Sequence, residues 1–124
     1  MHRLALIGLC LTLLLASPAF TVGTMSLLVD GQPVEAEVHT LNGAAMVPFK
    51  PLLPACGVSA YWVPDSQAIS AYNAEHSLYL VMGQNSGLAD GYQVPVDPPA
   101  QFIDGNPCLP LRLIVKTFQF QSMY

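Results

Sequence analysis

Asp30-Gly31-Gln32-Pro33-Val34 returns at an offset of 60 as Asp90-Gly91-Tyr92-Gln93-Val94, and this echo organises the chain. A second echo follows it. Asn42-Gly43-Ala44-Ala45-Met46-Val47-Pro48-Phe49-Lys50 matches Asp104-Gly105-Asn106-Pro107-Cys108-Leu109-Pro110-Leu111-Arg112 at an offset of 62, and Trp62 then aligns with Tyr124. Two copies of one supersecondary unit are expected, too few for a solenoid, which needs three or more. Each copy opens on Asp-Gly between β-prone runs, where Gly accepts the positive φ of a tight hairpin turn. In the first copy the flanking strands are Leu27 to Val29 and Val34 to Val38. The second of these alternates apolar Val34, Ala36 and Val38 with Glu35 and Glu37, so one face is buried and one is wet. A turn at Asn42-Gly43 leads to a short apolar strand, and Pro48 or Pro110 then stands where a helix can begin. Leu111 to Phe118 reads as that helix. In the first copy Pro51 and Pro54 remove backbone donors, so a turn or a short irregular helix ending near Gly57 is expected.

Between the copies, Val58 to Val63, Ala68 to Tyr72 and Ser77 to Met82 read as a meander, with turns at Pro64-Asp65-Ser66 and Asn73-Ala74-Glu75. The expected fold class is α+β: a small curved antiparallel sheet packed on one or two short helices and built from two pseudo-repeats. The second copy stops at Tyr124, which marks either the end of the domain or a truncation.

The N-terminus reads differently. Met1-His2-Arg3 precedes an unbroken apolar run from Leu4 to Leu15 and then Ala16-Ser17-Pro18-Ala19. A basic start, about a dozen apolar residues and small residues at the exit form a signal peptide, whereas a bilayer span needs about 20 apolar residues. Residues 1–19 are therefore read as a leader cleaved after Ala19, with retention as an uncleaved anchor as the alternative. The rest fits one small domain, 25–124. Hydrophobic residues make up 52% of the chain, a figure the leader inflates, while 11 prolines and 9 glycines speak for strands and turns rather than a membrane protein. Four Lys and Arg against eight Asp and Glu leave no basic surface to neutralise phosphates, so nucleic acid is excluded as a partner.

Beyond the leader two cysteines remain, Cys56 and Cys108, in a compartment that permits disulfides. A bridge would close a loop of roughly 50 residues and contribute roughly 3 to 4 kcal/mol. Two small buried thiols are the equal alternative, because spacing in sequence does not supply the Cα separation a bridge needs. Metal binding would rest on His39 and His76 beside these cysteines, with no ligand spacing; both histidines are read as exposed polar residues. No serine or cysteine nucleophile stands on a recognisable elbow. Lys50 and Arg112 occupy matching positions and invite an anion-binding reading, but their long stems suit a structural role with solvated heads. Tyr61, Tyr72, Tyr79 and Tyr92 with Trp62 could form a stacking face; core packing is expected to claim most of them, Trp62 first. Gly83 to Gly91 lacks the lysine and setting of a phosphate loop and reads as a flexible hairpin loop.

The succession Val29-Asp30-Gly31-Gln32-Pro33-Val34, Gly43, Met46-Val47-Pro48-Phe49-Lys50, Gly57-Val58 and Trp62 resembles the copper amine oxidase N-terminal-like, stalk-type domain. Asp90-Gly91, Gly105 and Cys108-Leu109-Pro110-Leu111-Arg112 look like that family's second unit. The resemblance covers about Met25 to Phe118; Pro51 and Pro54, and the lack of glycine at Gln119, depart from it. It implies a small α+β module of secreted or wall-associated bacterial proteins. It does not imply oxidase chemistry, since copper and quinone in the oxidases belong to a separate catalytic domain. The expected function is thus a secreted or cell-envelope-associated, non-catalytic accessory module that binds a protein or wall polymer or acts as a spacer. The alternative is the stalk of a larger secreted enzyme such as a wall hydrolase. No catalytic, cofactor-binding or metal residue is assigned, no cofactor is expected, and no membrane insertion follows leader removal. Mass spectrometry of the exported protein is expected to find Phe20 at the N-terminus; Met1 retained in a membrane fraction would show an anchor instead.

Overall fold

A computed structural model describes residues 20–122, so the leader and its cleavage point, like the Trp62–Tyr124 correspondence, lie outside the described residues. Thirteen elements follow one another. The strands β1 (Phe20–Val29), β2 (Gln32–Leu41) and β3 (Ala44–Pro48) lead into helix α1 (Phe49–Ala55). Then come β4 (Ser59–Val63), β5 (Ala68–Tyr72), β6 (Ser77–Val81), β7 (Ser86–Ala89), β8 (Tyr92–Pro95), β9 (Gln101–Ile103) and β10 (Asn106–Pro110). Helix α2 (Leu111–Phe118) and β11 (Gln121–Ser122) end the described chain. The fold is α+β, with the antiparallel strands divided between a six-stranded sheet, in the order β11-β1-β2-β3-β10-β9, and a five-stranded sheet, β4 to β8 in sequence order.

Four hairpins turn on two residues ending in glycine: Asp30-Gly31, Asn42-Gly43, Asp90-Gly91 and Asp104-Gly105. In each, both residues have positive φ, about 50° for the Asp or Asn and about 80° for the glycine. This is the type I′ pattern, whose twist matches that of the flanking strands, and Asp and Asn tolerate it better than other non-glycine residues. The turns set the registers, pairing Val29 with Gln32, Leu41 with Ala44, Ala89 with Tyr92 and Ile103 with Asn106. The last three residues of β3 and β10 then pair antiparallel, Met46 with Pro110, Val47 with Leu109 and Pro48 with Cys108. Pro48 and Pro110 both hold extended backbone, φ −69° and −66°, just before their helices, so each is the residue before the first helical position rather than that position itself.

The helices differ for a local reason. Pro51 falls in the first turn of α1, where no backbone donor has an intrahelical partner, and costs nothing there. Pro54 falls where a donor is required, and α1 stops at seven residues. Gly57, at φ +77°, takes the left-handed conformation just past α1. Gln119 takes it after α2 at φ +60°, without glycine's freedom from Cβ contacts. The strands after the Asp-Gly turns differ as well. β2 runs unbroken from Gln32 to Leu41 and serves both β1 and β3. Its counterpart is split: Pro98 and Pro99 lack donors, so β8 pairs with β7 in one sheet and β9 with β10 in the other.

One core lies between the sheets and under both helices. It takes Met25, Leu27, Ala36 and Val38 from β1 and β2, and Ile69, Ala71, Leu78 and Leu80 from β5 and β6. Phe49, Leu52 and Leu53 enter from α1, and Leu113, Ile114 and Phe118 from α2. Trp62 is only half-buried, and its ring meets Phe102 edge-on with centroids 5.7 Å apart, joining β4 to β9. Gly83 to Gly91, expected as a flexible loop, contains β7. Gly87 makes that strand possible, because a Cβ there would collide with the Leu80 side chain and stand 2.9 Å from the Tyr79 carbonyl oxygen.

Val47 and Leu109 are both fully buried, facing each other across the β3–β10 pair. Aspartate at either place would bury a charge without a partner, at a cost of several kcal/mol against roughly 5 to 15 kcal/mol for a whole domain. Val47→Asp and Leu109→Asp are expected to abolish the cooperative melting transition, while Gln32→Asp, on an exposed turn position, leaves the melting temperature within a few degrees. Equal melting of all three by circular dichroism would refute the assignment.

Candidate functional site

The five-stranded sheet buries one face and leaves most of the other open, apart from the row of Val63, Ala68 and Val81 where Ala68 is fully buried, and strand alternation decides which residues stand where. Ala60 and Trp62 on β4, Ile69 and Ala71 on β5, Leu78 and Leu80 on β6, and Ala89 and Val94 on β7 and β8 pack against the core. The residues between them point outward. Across the strands the register aligns Tyr61, Ser70, Tyr79, Leu88 and Gln93 in one row, with Ser59, Tyr72 and Ser77 in the next. Tyr61 is 54% exposed, Tyr72 45% and Leu88 44%, while Tyr79 between them is half-buried. Among the described residues, no charged side chain stands on this face. The carboxylates nearby, Asp65, Glu75 and Asp90, lie in the turns at the ends of the strands.

Tyr61 and Tyr72 are diagonal neighbours on β4 and β5. Their rings stack with centroids 5.9 Å apart and planes 28° from parallel, and their hydroxyls share a 3.3 Å hydrogen bond. That bond, and then the charge of a Tyr61 phenolate, hold the Tyr72 phenol above its ordinary pKa. The two rings form one continuous aromatic plate on the open face. The expectation that the core claims these tyrosines is corrected here for Tyr61 and Tyr72, and for Tyr92, which is 77% exposed at the edge of the opposite face. The signal was present in β4: in a strand Tyr61 and Trp62 cannot share a face, so a Trp62 turned inward turns Tyr61 outward.

The histidines come out unlike each other. His39, expected to be exposed, is buried on β2, with Nε2 3.4 Å from a Glu37 oxygen and Nδ1 without a partner among the described residues. It faces Met46 across the β2–β3 pair, beside a small second cluster with Ile103 and Cys108. His76 stands before β6, where the Asn73 side chain accepts its backbone N–H at 2.7 Å. Its Nδ1 lies 3.0 Å from Asp90, whose other oxygen accepts the Ser77 N–H at 2.9 Å. The Ser77 hydrogen bond first, and His76 second, hold the Asp90 carboxyl below the usual range. The sequence reading missed this pair because fourteen residues and two strands separate its members. His39 and His76 lie in different sheets' surroundings, and no group of three metal-ligating side chains forms among the described residues.

Lys50 and Arg112 do not converge. Lys50 lines a small hollow of about 110 Å³ with Glu37, Asn106 and Pro107. Arg112, with Lys116 one turn on, borders two larger clefts along α2, of about 940 and 480 Å³. The smaller of these reaches His76, Asp90 and Asp97. Both cations are exposed, as expected of snorkelling side chains with solvated heads.

The sequence profile of the copper amine oxidase N-terminal domain matches residues 28–124, and the chain belongs to that family. No curated protein and no solved structure matches the chain.

Cys56 and Cys108 are both free and buried, which decides between the disulfide and two separate thiols. Cys56 sits in the main core at the end of α1, Cys108 in the second cluster on the other side of β10. Burial pushes both thiols up to about 11. A folded pKa raised above the unfolded value stabilises the fold fully below the unfolded pKa, and this contribution is lost as pH rises through the folded one. The melting temperature is expected to decline between about pH 9 and about pH 11, and less in a Cys56→Ala/Cys108→Ala variant. With the chain carrying Cys10→Ser, both thiols should resist Ellman's reagent in the folded state and react on unfolding. A bridge would leave both silent in either state.

Proposed function

We propose that this chain is an exported, envelope-associated binding module without catalytic activity of its own, and that it engages its partner through the outward face of β4–β8. The observation that carries the reading is the open Tyr/Ser face: stacked aromatic rings set among Ser59, Ser70 and Ser77. Rigid tyrosines supply contact area at small entropic cost and serines supply adaptable hydrogen bonds, the combination that recurs in binding surfaces. A sheet face left exposed with this composition, rather than covered by charged side chains, fits recognition better than solvation. Membership of an N-terminal domain family and the apolar leader pattern support export and an accessory place within a larger system. A spacer role needs no such face.

The experiment is fractionation of the exporting host followed by readdition of the purified chain to isolated envelope. The chain is expected in the medium or on the envelope, and to be retained saturably when added back. Elemental analysis should find less than one copper per chain, and amine substrates should yield no hydrogen peroxide. Failure to bind envelope material at all, or amine oxidation lost in a His76→Ala variant, would overturn the reading.

A further inference from the structure

We propose that the partner of the β4–β8 face is an uncharged polysaccharide, laid across the strands over Tyr61, Tyr72 and Tyr79. This rests on the reading that the face is the binding surface, and adds the chemistry of what binds it. Three features point to such a ligand. The face carries hydroxyls, the Gln93 amide, π-surfaces and a short aliphatic row of Val63, Ala68 and Val81 but, among the described residues, no charge, so every polar side-chain contact it offers is a neutral hydrogen bond of Ser, Tyr or Gln. A pyranose ring has the complementary make-up, with axial C–H groups that stack on the electron-rich face of an aromatic ring and hydroxyls around its edge.

The second feature is charge at the rim. Asp65 stands at one end of the strands and Glu75 and Asp90 at the other, while Lys50, Arg112 and Lys116 all lie on the helices. A phosphate- or carboxylate-bearing polymer laid on this face would meet carboxylates at the strand ends, of which Asp90 is paired with His76, and on the face itself no cation among the described residues, and would surrender hydration without a partner. The third is spacing. Tyr61 and Tyr79 share a row on β4 and β6, two strands apart, which sets them roughly 9.5 Å apart at the usual strand separation. Tyr72 lies in the neighbouring row, so an extended chain would pass over successive aromatic positions rather than fill a single pocket. A protein partner is the less favoured occupant. Protein interfaces centre on desolvated apolar anchors and Arg, and here Leu88 is exposed, Val63 and Val81 are half-buried at one end of the face, and no Arg stands on it among the described residues.

The test uses the full exported chain and defined oligosaccharides in titration calorimetry: N-acetylchitohexaose and cellohexaose as neutral probes, the fully deacetylated chitohexaose as a cationic one and hexagalacturonate as an anionic one. At least one neutral hexamer is expected to bind, more tightly than its trimer, with an affinity that changes less than about twofold between low and high salt, because no ion pair is screened. Tyr61→Ala and Tyr72→Ala should each weaken it at least about tenfold, as aromatic anchors do, with unchanged melting. Tyr61→Phe, which keeps the ring and loses only the shared hydroxyl bond, should stay within about threefold. Tyr92→Ala, on the other side of the sheet, should have no effect. Salt-sensitive binding of a charged hexamer alone would overturn the proposal. So would envelope retention that survives Tyr61→Ala/Tyr72→Ala, or that is abolished when the envelope is treated with protease; in those cases the binding-module reading stands and only the polysaccharide falls. No retention of the wild-type chain would remove the reading beneath it.

Discussion

The antiparallel pairing of β3 with β10, centred on Val47 opposite Leu109, is the contact on which the structure depends. Each strand runs straight into a helix, so this one pairing fixes where both helices start and which way each leaves the sheet. It also sets the symmetry of what surrounds it. Met46 lies against Pro110 and Pro48 against Cys108, so in the offset of 62 the two segments exchange places about the central pair. Lys50 accordingly lies beside Asn106 and Pro107, and Arg112 near Ala44 and Ala45, in corresponding hollows. Matching residues are thus placed on opposite sides of a local centre, which is why the two cations of the echoed sequence do not form one site.

The second constraint is the interruption at Pro98 and Pro99. In the first half a single long β2 keeps β1 and β3 in one sheet; in the second half β8 and β9 belong to different sheets. That division frees β4 to β8 to form a layer of their own, packed on the core through Ile69, Ala71, Leu78 and Leu80 and tied to the other sheet by Trp62 against Phe102. The proposed binding face is the outer side of this layer. The tyrosine pair spans the edge strand β4 and its neighbour β5, and beneath β5 and β6 the inner residues Ile69, Ala71, Leu78 and Leu80 are almost wholly buried.

Burial and exposure also separate the groups that carry chemistry. The thiols of Cys56 and Cys108, the most reactive side chains among the described residues, are enclosed and held protonated. Of the two His–carboxylate pairs among the described residues, His39 with Glu37 stays within β2, while His76 with Asp90 ties the start of β6 to the β7–β8 turn. The residues of the proposed binding face are instead neutral.

Much of this was legible in the sequence by itself. The Asp-Gly and Asn-Gly turns, the meander from β4 to β6 and the helix from Leu111 to Phe118 are dictated by local chemistry, since glycine and proline constrain only their neighbours and alternation needs only a few residues. The family too was legible, because it resides in the order of those local signals. Tertiary structure decided what depends on distant partners. Cys56 and Cys108 could be called bridged or free only once β10 had placed them in different clusters, and His39 became buried because β3 lies beside it. Tyr61 and Tyr72 became a surface because Trp62 and Ala71, their neighbours in sequence, turned inward. A strand's alternation divides its residues between two faces, but only the layer packed against one of them determines which face meets water.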